Sequence, residues 1–371
     1  MNIENFEKCV MLRHTLHKYP ELSMREHNTV KTLMRFISEN TSFKTVDCGG
    51  WFYAVKEGSD AAAGAVAFRA DMDALPIHEG LDIPYASTTK GVSHKCGHDG
   101  HCAALCALAL ELERAKLSRT VYLIFQPAEE TGLGAAICSK LISEKNITEI
   151  YAFHNLGGYE EGEIIYRNGL TQPASEGLII KLIGKESHAS DPGFGRNPAF
   201  AVSKLALYSQ SLLNGDNTGF FTCTVVGIKV GSGDFGISAG YGELKLTLRA
   251  EYESDLARAR ETLLEYASSL AESEGLVLKS ERSDSFPETK NDPKCIEKVI
   301  TAAKKRGFSV KEMDNMWMAS EDFGCYTKIC AGAIFYIGNG RKYPALHTSE
   351  YDFNDNIIPA AADMFLELAS M

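Results

Sequence analysis

The alternation of hydrophobic and polar positions along the chain predicts short strands that alternate with helices. A first helix is predicted over residues 3–18. A second follows Ser23 and Glu26, whose three-residue spacing has the form of a capping box. Short β-type runs are then predicted at 43–46, 51–55 and 64–68. The N-terminal part of the chain therefore reads as two helices followed by the first strands of a sheet.

Continuous apolar runs predict strands that are buried on both faces, and polar residues follow each run. The runs and the residues after them are 64–68 before Arg69, Asp71 and Asp73; 121–125 before Glu129 and Glu130; 149–153 before His154; and 333–337 before a glycine-rich turn to His347. In open α/β sheets, ligands bind outside the carboxyl ends of the strands. We therefore predict an open, mostly parallel sheet flanked by helices, with these four endings facing one crevice.

The middle of the chain has a different order of elements. Strands are predicted over 176–184, 221–230, 241–250 and 276–283, with helices over 197–213 and 254–273. This βαββαβ order is that of a ferredoxin-like α+β unit. Because the α/β pattern resumes with a helix over 293–305, we predict a discontinuous catalytic domain at 1–174 and 287–371, with an inserted domain at 175–286.

Length, charge and cysteine usage limit the possible functions. The chain has 371 residues and a net charge of -11, which disfavours nucleic acid and anionic membranes as partners. It contains no apolar run near the ~18 residues that a membrane span needs. The N-terminal segment carries charges throughout and lacks the apolar core of a secretory signal. The ten cysteines have no Cys-x-x-Cys spacing, so we expect reduced thiols in a cytoplasmic protein.

The stretch HKCGHDGH, from His94 to His101, concentrates imidazoles, a thiol and a carboxylate within one short segment. Such a cluster suggests a transition-metal site. Taken alone, it fits equally well a buried reduced cysteine beside a capping aspartate and surface histidines. The adjacent pair Glu129 and Glu130 is similarly open. It is either a solvated turn or a metal ligand next to a carboxylate that faces a bound water.

Seven segments, taken in order, resemble a known family. They are LHKYPEL, FRADMDALP, HKCGHDGH, FQPAEE, ESHAS, ASEDF and LHTSEYDFND. Together they are similar to the amidohydrolase branch of the dinuclear metallopeptidases, which holds N-acyl-amino-acid amidohydrolases, hippurate hydrolases and plant auxin-conjugate hydrolases. The resemblance implies two divalent metal ions with five ligands: Cys96, His98, Glu130, His154 and His347. It also implies Glu129 as general base, and a lid or dimerisation domain that contributes His188.

The chemistry of these residue types agrees with the resemblance. A thiolate can bridge two divalent ions that lie about 3.5 to 4 Å apart. Mixed nitrogen, oxygen and sulfur donors suit Zn, Mn, Co or Ni better than Ca or Mg. Asp73 lies where the wider superfamily keeps an aspartate that orients a metal ligand. We expect supporting roles for four further residues of the two motifs, with a turn or a helix cap as alternatives for the aspartates: Asp71, Asp99, His94 and His101.

Further expectations concern Arg249, Lys95, Glu350 and the segment ASEDF. Arg249 ends a strand and is a candidate for binding a substrate carboxylate. The preceding GISAGYGELKLTL differs from the Asn-Val-Ile-Pro and Gly-Thr-x-Arg segments of many relatives, so lid-side contacts and dimer geometry are open. Lys95 and Glu350 add charge near the predicted site, and ASEDF at 319–323 is interpreted as a helix N-terminus with acids favoured by the helix dipole.

The sequence therefore predicts a metal-dependent enzyme that hydrolyses the amide bond of N-acetyl or N-aroyl amino acids. We expect a homodimer that forms through the inserted domain. A dipeptidase or aminopeptidase of the same superfamily is the main alternative. A non-catalytic metal-binding regulatory protein is a further alternative, although the presence of Glu129 beside a full ligand set argues against it.

Overall fold

The computed structural model describes residues 1–214 and 219–371, and the chain divides into two compact units. Unit 1 comprises Met1–Thr171, Thr289–Trp317 and Glu321–Met371. Unit 2 comprises Gln172–Glu288 and Met318–Ser320. The last three residues of unit 2 belong to a stretch that the sequence analysis assigned to the discontinuous domain.

The helices and strands are numbered here in chain order. The helices are α1 (Ile3–Lys18), α2 (His27–Asn40), α3 (His98–Leu112), α4 (Gly134–Cys138), α5 (Lys140–Glu144), α6 (Ala199–Ser211), α7 (Glu253–Glu274), α8 (Pro293–Arg306), α9 (Gly324–Thr327) and α10 (Ile358–Ala369). The strands are β1 (Lys44–Asp47), β2 (Phe52–Lys56), β3 (Ala65–Asp71), β4 (Thr120–Gln126), β5 (Ile147–Gly157), β6 (Ile164–Tyr166), β7 (Gly169–Gln172), β8 (Ala174–Ile183), β9 (Ser187–His188), β10 (Phe221–Val230), β11 (Ile237–Ser238), β12 (Tyr241–Ala250), β13 (Val277–Phe286), β14 (Thr289–Asn291), β15 (Val310–Glu312) and β16 (Ala331–Gly340).

Unit 1 is built on an eight-stranded sheet in the order β1-β2-β4-β3-β5-β16-β6-β15. The central strands β4, β3, β5 and β16 run parallel, and antiparallel pairs occur toward both edges. Every residue of β3 is buried, as expected for a strand with helices on both faces. The apolar helix α3 packs against α1 and α10 and joins the same hydrophobic core. The predicted α/β class with an open, mostly parallel sheet is confirmed.

Three of the predicted strands end too early. β3 continues past 68 to Asp71, and β16 continues past 337 to Gly340. The strand predicted to end before His154 continues to Gly157 as β5. His154 therefore lies within the strand, where it pairs in parallel register with Tyr336 of β16. The polar residue did not end the strand because its ring lies in the site at the carboxyl edge of the sheet.

Unit 2 has the predicted ferredoxin-like arrangement. Its four strands are antiparallel in the order β10-β12-β8-β13, and α6 and α7 pack against this sheet. Alternate residues of β12 are buried, which is the period-2 pattern of a sheet with one covered face. These side chains join residues of both helices in a separate hydrophobic core.

The predicted capping box of α2 is wrong. Neither Ser23 nor Glu26 caps the helix: the Ser23 hydroxyl donates to Asp73, and Glu26 accepts from the backbone N–H of Ala128. The first turn of α2 is capped by Glu21 instead, whose Oε2 accepts from two backbone N–H groups at 2.8 and 2.9 Å. The spacing of the two residues is compatible with a capping box, but both side chains form hydrogen bonds with residues distant in the sequence instead.

Across residues 1–214 and 219–371, the helices are too short or too polar to cross a bilayer.

Candidate metal centre

The structure brings five of the predicted site residues together in unit 1, in two groups that share one thiol. Cys96 lies with His98 and His154 in one group, and with Glu130 and His347 in the other. Within each group the possible ligand atoms lie within 4.8 Å of one another. Cys96 Sγ is 3.4 Å from His154 Nε2 and 3.3 Å from His347 Nε2. A thiol common to two ligand groups could bridge a pair of metal ions, one held by each group.

The start of α3 places Cys96 and His98 on either side of one glycine. Gly97 has φ +100°, in the left-handed region that glycine adopts without strain. A Cβ at this position would lie 2.5 Å from Asn155 Oδ1 and 2.8 Å from the Tyr351 hydroxyl. Only glycine therefore allows the chain to turn here and present both side chains to the same point.

Backbone carbonyls fix the tautomers of two of the histidines. His98 Nδ1 lies 2.9 Å from the carbonyl oxygen of Asp73, and His154 Nδ1 lies 2.8 Å from that of Asn155. A carbonyl can only accept, so each neutral ring carries its proton on Nδ1. Each Nε2 is then an acceptor directed toward Cys96, which is the form in which histidine binds a metal.

Asp73 connects both ligand groups. Its Oδ1 lies 3.3 Å from His98 Nδ1, and its Oδ2 accepts from the backbone N–H of Glu130 at 3.0 Å and from the Ser23 hydroxyl at 2.7 Å. The predicted orienting aspartate is thus in contact with a ligand of each group. Ser23 was missed as part of the site because its spacing to Glu26 has a local explanation.

Two buried atoms of the cluster have no hydrogen-bond partner among the described residues: His98 Nε2 and Glu130 Oε1. These atoms are 3.8 Å apart, and Glu130 Oε1 is 3.6 Å from His347 Nε2. Unpartnered buried polar atoms are costly in free energy. Their placement beside a thiol and three imidazoles fits borderline divalent metal ions, which accept nitrogen, oxygen and sulfur ligands.

Burial works against a thiolate at Cys96 when no cation is near. Burial first, and then the Glu130 carboxylate, raises the pKa of the Cys96 thiol well above its ordinary range. Burial also raises the pKa of Glu130, to about 7. Both groups must lose their protons to act as ligands, so metal affinity is expected to fall as pH falls.

His347 adopts a strained backbone conformation. Its φ of +61° lies in the left-handed region, which is unfavourable for a residue with a side chain. The backbone N–H of His347 donates to the carbonyl of Lys95 at 2.7 Å. The Lys95 side chain is fully buried and donates to Glu79 and, at 2.8 Å, to the carbonyl of Tyr351. Lys95 thus ties the two ligand segments together, and the charge that it adds near the site is paired with Glu79 in the interior.

Glu129 lies beside both ligand groups. It is 5% exposed, and its Oε2 is 3.9 Å from His98 Nε2. Ala128, the residue before it, has a left-handed φ of +51°. Burial first, and then the carboxylates of Glu321, Glu130 and Asp322, raise the pKa of Glu129 well above its ordinary value. A carboxylate with a raised pKa accepts a proton more readily than an ordinary glutamate does, which is the property of a general base.

Arg69, which the sequence analysis named only as a polar residue after a predicted strand, is a buried cation beside Glu129. Arg69 donates from Nη1 to Asp71 at 2.7 Å, and from Nη2 to Asp322 at 2.8 Å and Glu321 at 3.0 Å. ASEDF does precede the short helix α9, as interpreted, and Glu321 Oε1 accepts from the backbone N–H of Phe323 at 3.0 Å. Its two acids also pair with Arg69, which the sequence analysis did not predict. Asp71 is likewise more than a turn residue, because it accepts from Arg69.

Asp99, His101 and His94, the remaining acidic and imidazole residues of HKCGHDGH, are buried next to the ligand residues. Asp99 accepts from His17 at 2.8 Å, so it is not a simple helix cap. His101 lies between Asp71 and Asn155, at 2.6 Å from each. His94 is fully buried, and burial lowers its pKa to about 4, so its ring is neutral at physiological pH.

Two predicted residues belong to unit 2 and are not among the groups that share Cys96. His188 is exposed on the short strand β9, and its Nδ1 accepts from the backbone N–H of Ser190 at 3.2 Å. Arg249 Nη1 donates to the carbonyl of Met318 at 2.9 Å. Glu350, the other predicted charge, is exposed and accepts from the hydroxyl of Ser349.

The carboxyl edge of a mostly parallel sheet thus carries two metal-ligand groups with a common cysteine, next to a buried glutamate. This combination defines the class of metal-dependent hydrolases.

The chain belongs to peptidase family M20/M25/M40, whose family model matches residues 67–371. It is 30% identical to the hippurate hydrolase of Campylobacter jejuni over 98% of this chain and 95% of that one. It is 27% identical to the N-acetylcysteine deacetylase of Bacillus subtilis over 98% of this chain and 96% of that one. The family resemblance that was predicted from the ordered segments is confirmed.

Solved structures have the same fold. A protein from methicillin resistant Staphylococcus aureus superposes with a TM-score of 0.86 at 25% identity, covering 98% of this chain and 96% of that chain. A Bacillus subtilis protein, described as a dinuclear metal binding peptidase from the M20 family, superposes with a TM-score of 0.80 at 24% identity, covering 100% and 98%.

Proposed function

We propose that the protein is a metal-dependent amidohydrolase that cleaves the amide bond of N-acyl or N-aroyl amino acids. The observation that carries this proposal is the pair of ligand groups that share Cys96, with the buried Glu129 carboxylate 3.9 Å from His98. The names of two relatives, hippurate hydrolase and N-acetylcysteine deacetylase, support N-acyl amino acids as the substrate class.

In this proposal each ligand group holds one divalent ion, and Cys96 contributes to both. The first site consists of Cys96, His98 and His154, and the second of Cys96, Glu130 and His347. When bound, a pair of such ions lowers the pKa of a water molecule from about 15.7 to near 7 and polarises a carbonyl group. Zn, Mn, Co and Ni all suit this mixture of donors.

Glu129 moves the proton. It accepts the proton of the attacking water and delivers it to the nitrogen of the leaving amine. Its burial and the neighbouring acids, which raise its pKa, favour the acceptance of the proton from water. Asp73 keeps the ring of His98 in the Nδ1–H form and holds the backbone of Glu130, so that the ligands are oriented in advance.

The inserted domain supplies the second part of the proposal. We propose that His188 donates from Nε2 to the oxyanion of the tetrahedral intermediate when the lid closes. The contacts of Nδ1 with the hydroxyl and the backbone N–H of Ser190, at 2.8 and 3.2 Å, support this role, because they orient the ring through Nδ1. A homodimer through this domain is supported by β10, an edge strand whose Val226 and Ile228 side chains are 60% and 56% exposed.

Ten free cysteines support a cytoplasmic location.

The test is the substitution Glu129→Gln, which keeps the shape of the side chain and removes the base. We expect turnover of an N-acetyl or N-benzoyl amino acid to fall roughly 10²- to 10⁴-fold, with metal content unchanged. The matched control is Glu57→Gln, an exposed glutamate paired with Lys44 at the surface. A Glu129→Gln enzyme with a near-normal rate and full metal would refute the assignment of the base.

A substrate panel separates the alternatives. Purified wild-type protein loaded with a single defined metal is assayed on N-acetyl amino acids, hippurate and unblocked dipeptides. Cleavage of the N-blocked substrates supports the proposal, whereas cleavage of dipeptides alone indicates a dipeptidase. Absence of any turnover with full metal content would favour the non-catalytic alternative.

A further inference from the structure

The turn between α1 and α2 contains a buried carboxylate that no local structure uses. Glu26 is 1% exposed, yet it makes no capping hydrogen bond to α2. Glu21 performs that function through the backbone N–H groups of Asn28 and Thr29. Glu26 instead accepts from the backbone N–H of Ala128 at 2.8 Å, from a residue 102 positions away.

Ala128 is the residue that determines where the next two side chains point. It has a φ of +51°, and an L-residue keeps this conformation only when its surroundings hold it there. Burial raises the pKa of Glu26 to about 7, and in its ionised form the side chain makes a charge-assisted hydrogen bond to this N–H, which is stronger than one from a neutral acceptor. Glu129 and Glu130 follow at once in the chain.

The same turn also holds the other end of this segment. The Ser23 hydroxyl donates to Asp73 Oδ2 at 2.7 Å, and that oxygen accepts from the backbone N–H of Glu130 at 3.0 Å. Glu26 acts directly before Glu129, and Ser23 acts through Asp73 directly after it. The backbone of Glu129 is therefore fixed on both sides by residues of one turn.

A purely structural role does not explain Glu26. Its second oxygen, Oε2, is buried and has no hydrogen-bond partner among the described residues. Burying a carboxylate with one unpartnered oxygen is unfavourable for stability, and a neutral side chain could fill the same space. We therefore attribute the presence of a glutamate here to the hydrogen bond that its other oxygen, Oε1, accepts from the backbone N–H of Ala128.

We propose that Glu26 is a positioning residue for the reaction, which holds Ala128 in its left-handed conformation and thereby aims the Glu129 carboxylate. This inference rests on the proposed role of Glu129 as the base. Glu26 itself touches neither a ligand side chain nor the reacting atoms in this arrangement, and it acts only through the backbone.

The test compares three variants. In Glu26→Ala the acceptor is lost, and we expect kcat to fall about 10- to 100-fold, since a displacement of about 1 Å at a reacting group costs about that much. KM and metal content should stay within about twofold of wild type. Glu26→Gln keeps a carbonyl oxygen that can accept from Ala128, and should recover most of kcat. Glu21→Ala, the matched control in the same turn, removes the α2 cap and should lower the thermal midpoint without changing kcat.

Each other outcome overturns the inference. A normal kcat in Glu26→Ala would show that the hydrogen bond does not position the base. An equal loss in Glu26→Ala and Glu21→Ala would show that the turn acts only through stability. Loss of metal together with kcat in Glu26→Ala would place the effect on Glu130 instead, and a Gln variant as slow as the Ala variant would exclude the hydrogen bond as the cause.

A double variant separates this inference from the proposed function. Because Glu26 acts through Glu129, Glu26→Ala should cause no further loss in a Glu129→Gln background. If Glu129→Gln alone keeps its turnover, the proposed base is wrong. If Glu129→Gln is inactive and the two substitutions lower the residual rate independently, only the positioning role of Glu26 is wrong.

Discussion

Arg69 is the cation that allows three acids to be buried beneath the site, and its replacement gives the sharpest prediction about this fold. Its guanidinium is 2% exposed and donates to three carboxylates at 2.7 to 3.0 Å. Its Nε also donates to Gln126 at 2.9 Å. We consider two substitutions: Arg69→Met, which removes the charge, and Arg69→Lys, which keeps the charge and loses the planar fork.

The magnitude follows from the number of acids that lose their partner. Removing one member of a buried ion pair costs about 3–5 kcal/mol. The three acids do not each add this amount, because an acid without a cation can take up a proton instead. Burial already raises the pKa of Asp322 to about 8 with Arg69 present. We therefore expect about 5 kcal/mol for Arg69→Met, a large part of a typical total of about 5–15 kcal/mol. For Arg69→Lys we expect roughly 1.5–3 kcal/mol, because an ammonium reaches fewer of the partners.

The assay is urea unfolding followed by tryptophan fluorescence. Both tryptophans of the chain, Trp51 and Trp317, belong to unit 1, so their emission reports the unit that contains Arg69. The expected order of stability is wild type, then Arg69→Lys, then Arg69→Met. Arg35→Met, at an exposed position on α2, serves as the control. If Arg69→Met unfolds within about 0.5 kcal/mol of wild type, the reasoning is refuted, since that is the effect of an ordinary surface substitution.

Two further predictions concern metal binding and pH. Cys96→Ala should lower bound metal at both sites, because both groups include its thiol, whereas the buried Cys138→Ala should not; unchanged metal by elemental analysis would contradict the bridge. Burial opposes the charge on His17, but hydrogen bonds to Asp99 and Glu79 raise its pKa from 6.5 to about 9. The charged ring therefore stabilises the fold fully below pH 6.5 and loses this effect as pH rises through about 9. The stability difference between wild type and His17→Gln should shrink by up to ~3 kcal/mol over this range, and a constant difference would count against the ion pair.

Much of the fold could be predicted from the sequence because it depends on short-range signals, whereas the ligand set was implied by the resemblance of seven ordered segments to a known family. Apolar runs of strand length predict buried strands, and parallel strands bring their carboxyl ends to one edge. This is why His154, Glu130 and His347 could be expected near HKCGHDGH, although they are far from it in the chain. The structure extends the strands by a few residues but keeps this edge in place.

The supporting residues could not be predicted in the same way, because their partners are distant and their local patterns have simpler explanations. Arg69 meets Glu321 across 252 positions, and within ASEDF the acids have the spacing of a helix N-terminus. Ser23 and Glu26 have the spacing of a capping box. In the structure, however, Glu26 accepts from the backbone N–H of Ala128, and the Ser23 hydroxyl donates to the carboxylate of Asp73. Local propensity is a weak guide when a buried tertiary partner is present.

The burial of Lys95 could not be predicted either, because it also depends on a partner that is distant in the sequence. A lysine between a histidine and a cysteine is expected at the surface, since lysine is almost never fully buried unless it is paired. Here Glu79 supplies the pair and the carbonyl of Tyr351 a second acceptor. The consequence is that the residue next to Cys96 is fixed from inside the protein, so that its own carbonyl is available to His347.

The two strained non-glycine residues at the site share one physical arrangement. Ala128 and His347 each have a left-handed φ, which costs about 1–3 kcal/mol. Ala128 directly precedes Glu129, and His347 is itself a member of a ligand group. In each case the backbone N–H is held by a residue anchored in the interior, Glu26 for Ala128 and Lys95 for His347. The buried charges around the centre thus stabilise backbone conformations that the chain would not adopt alone. Stability and the geometry of the site therefore depend on the same buried groups, and a substitution at Glu26 or Lys95 acts on the site through the backbone rather than through the metal ligands themselves.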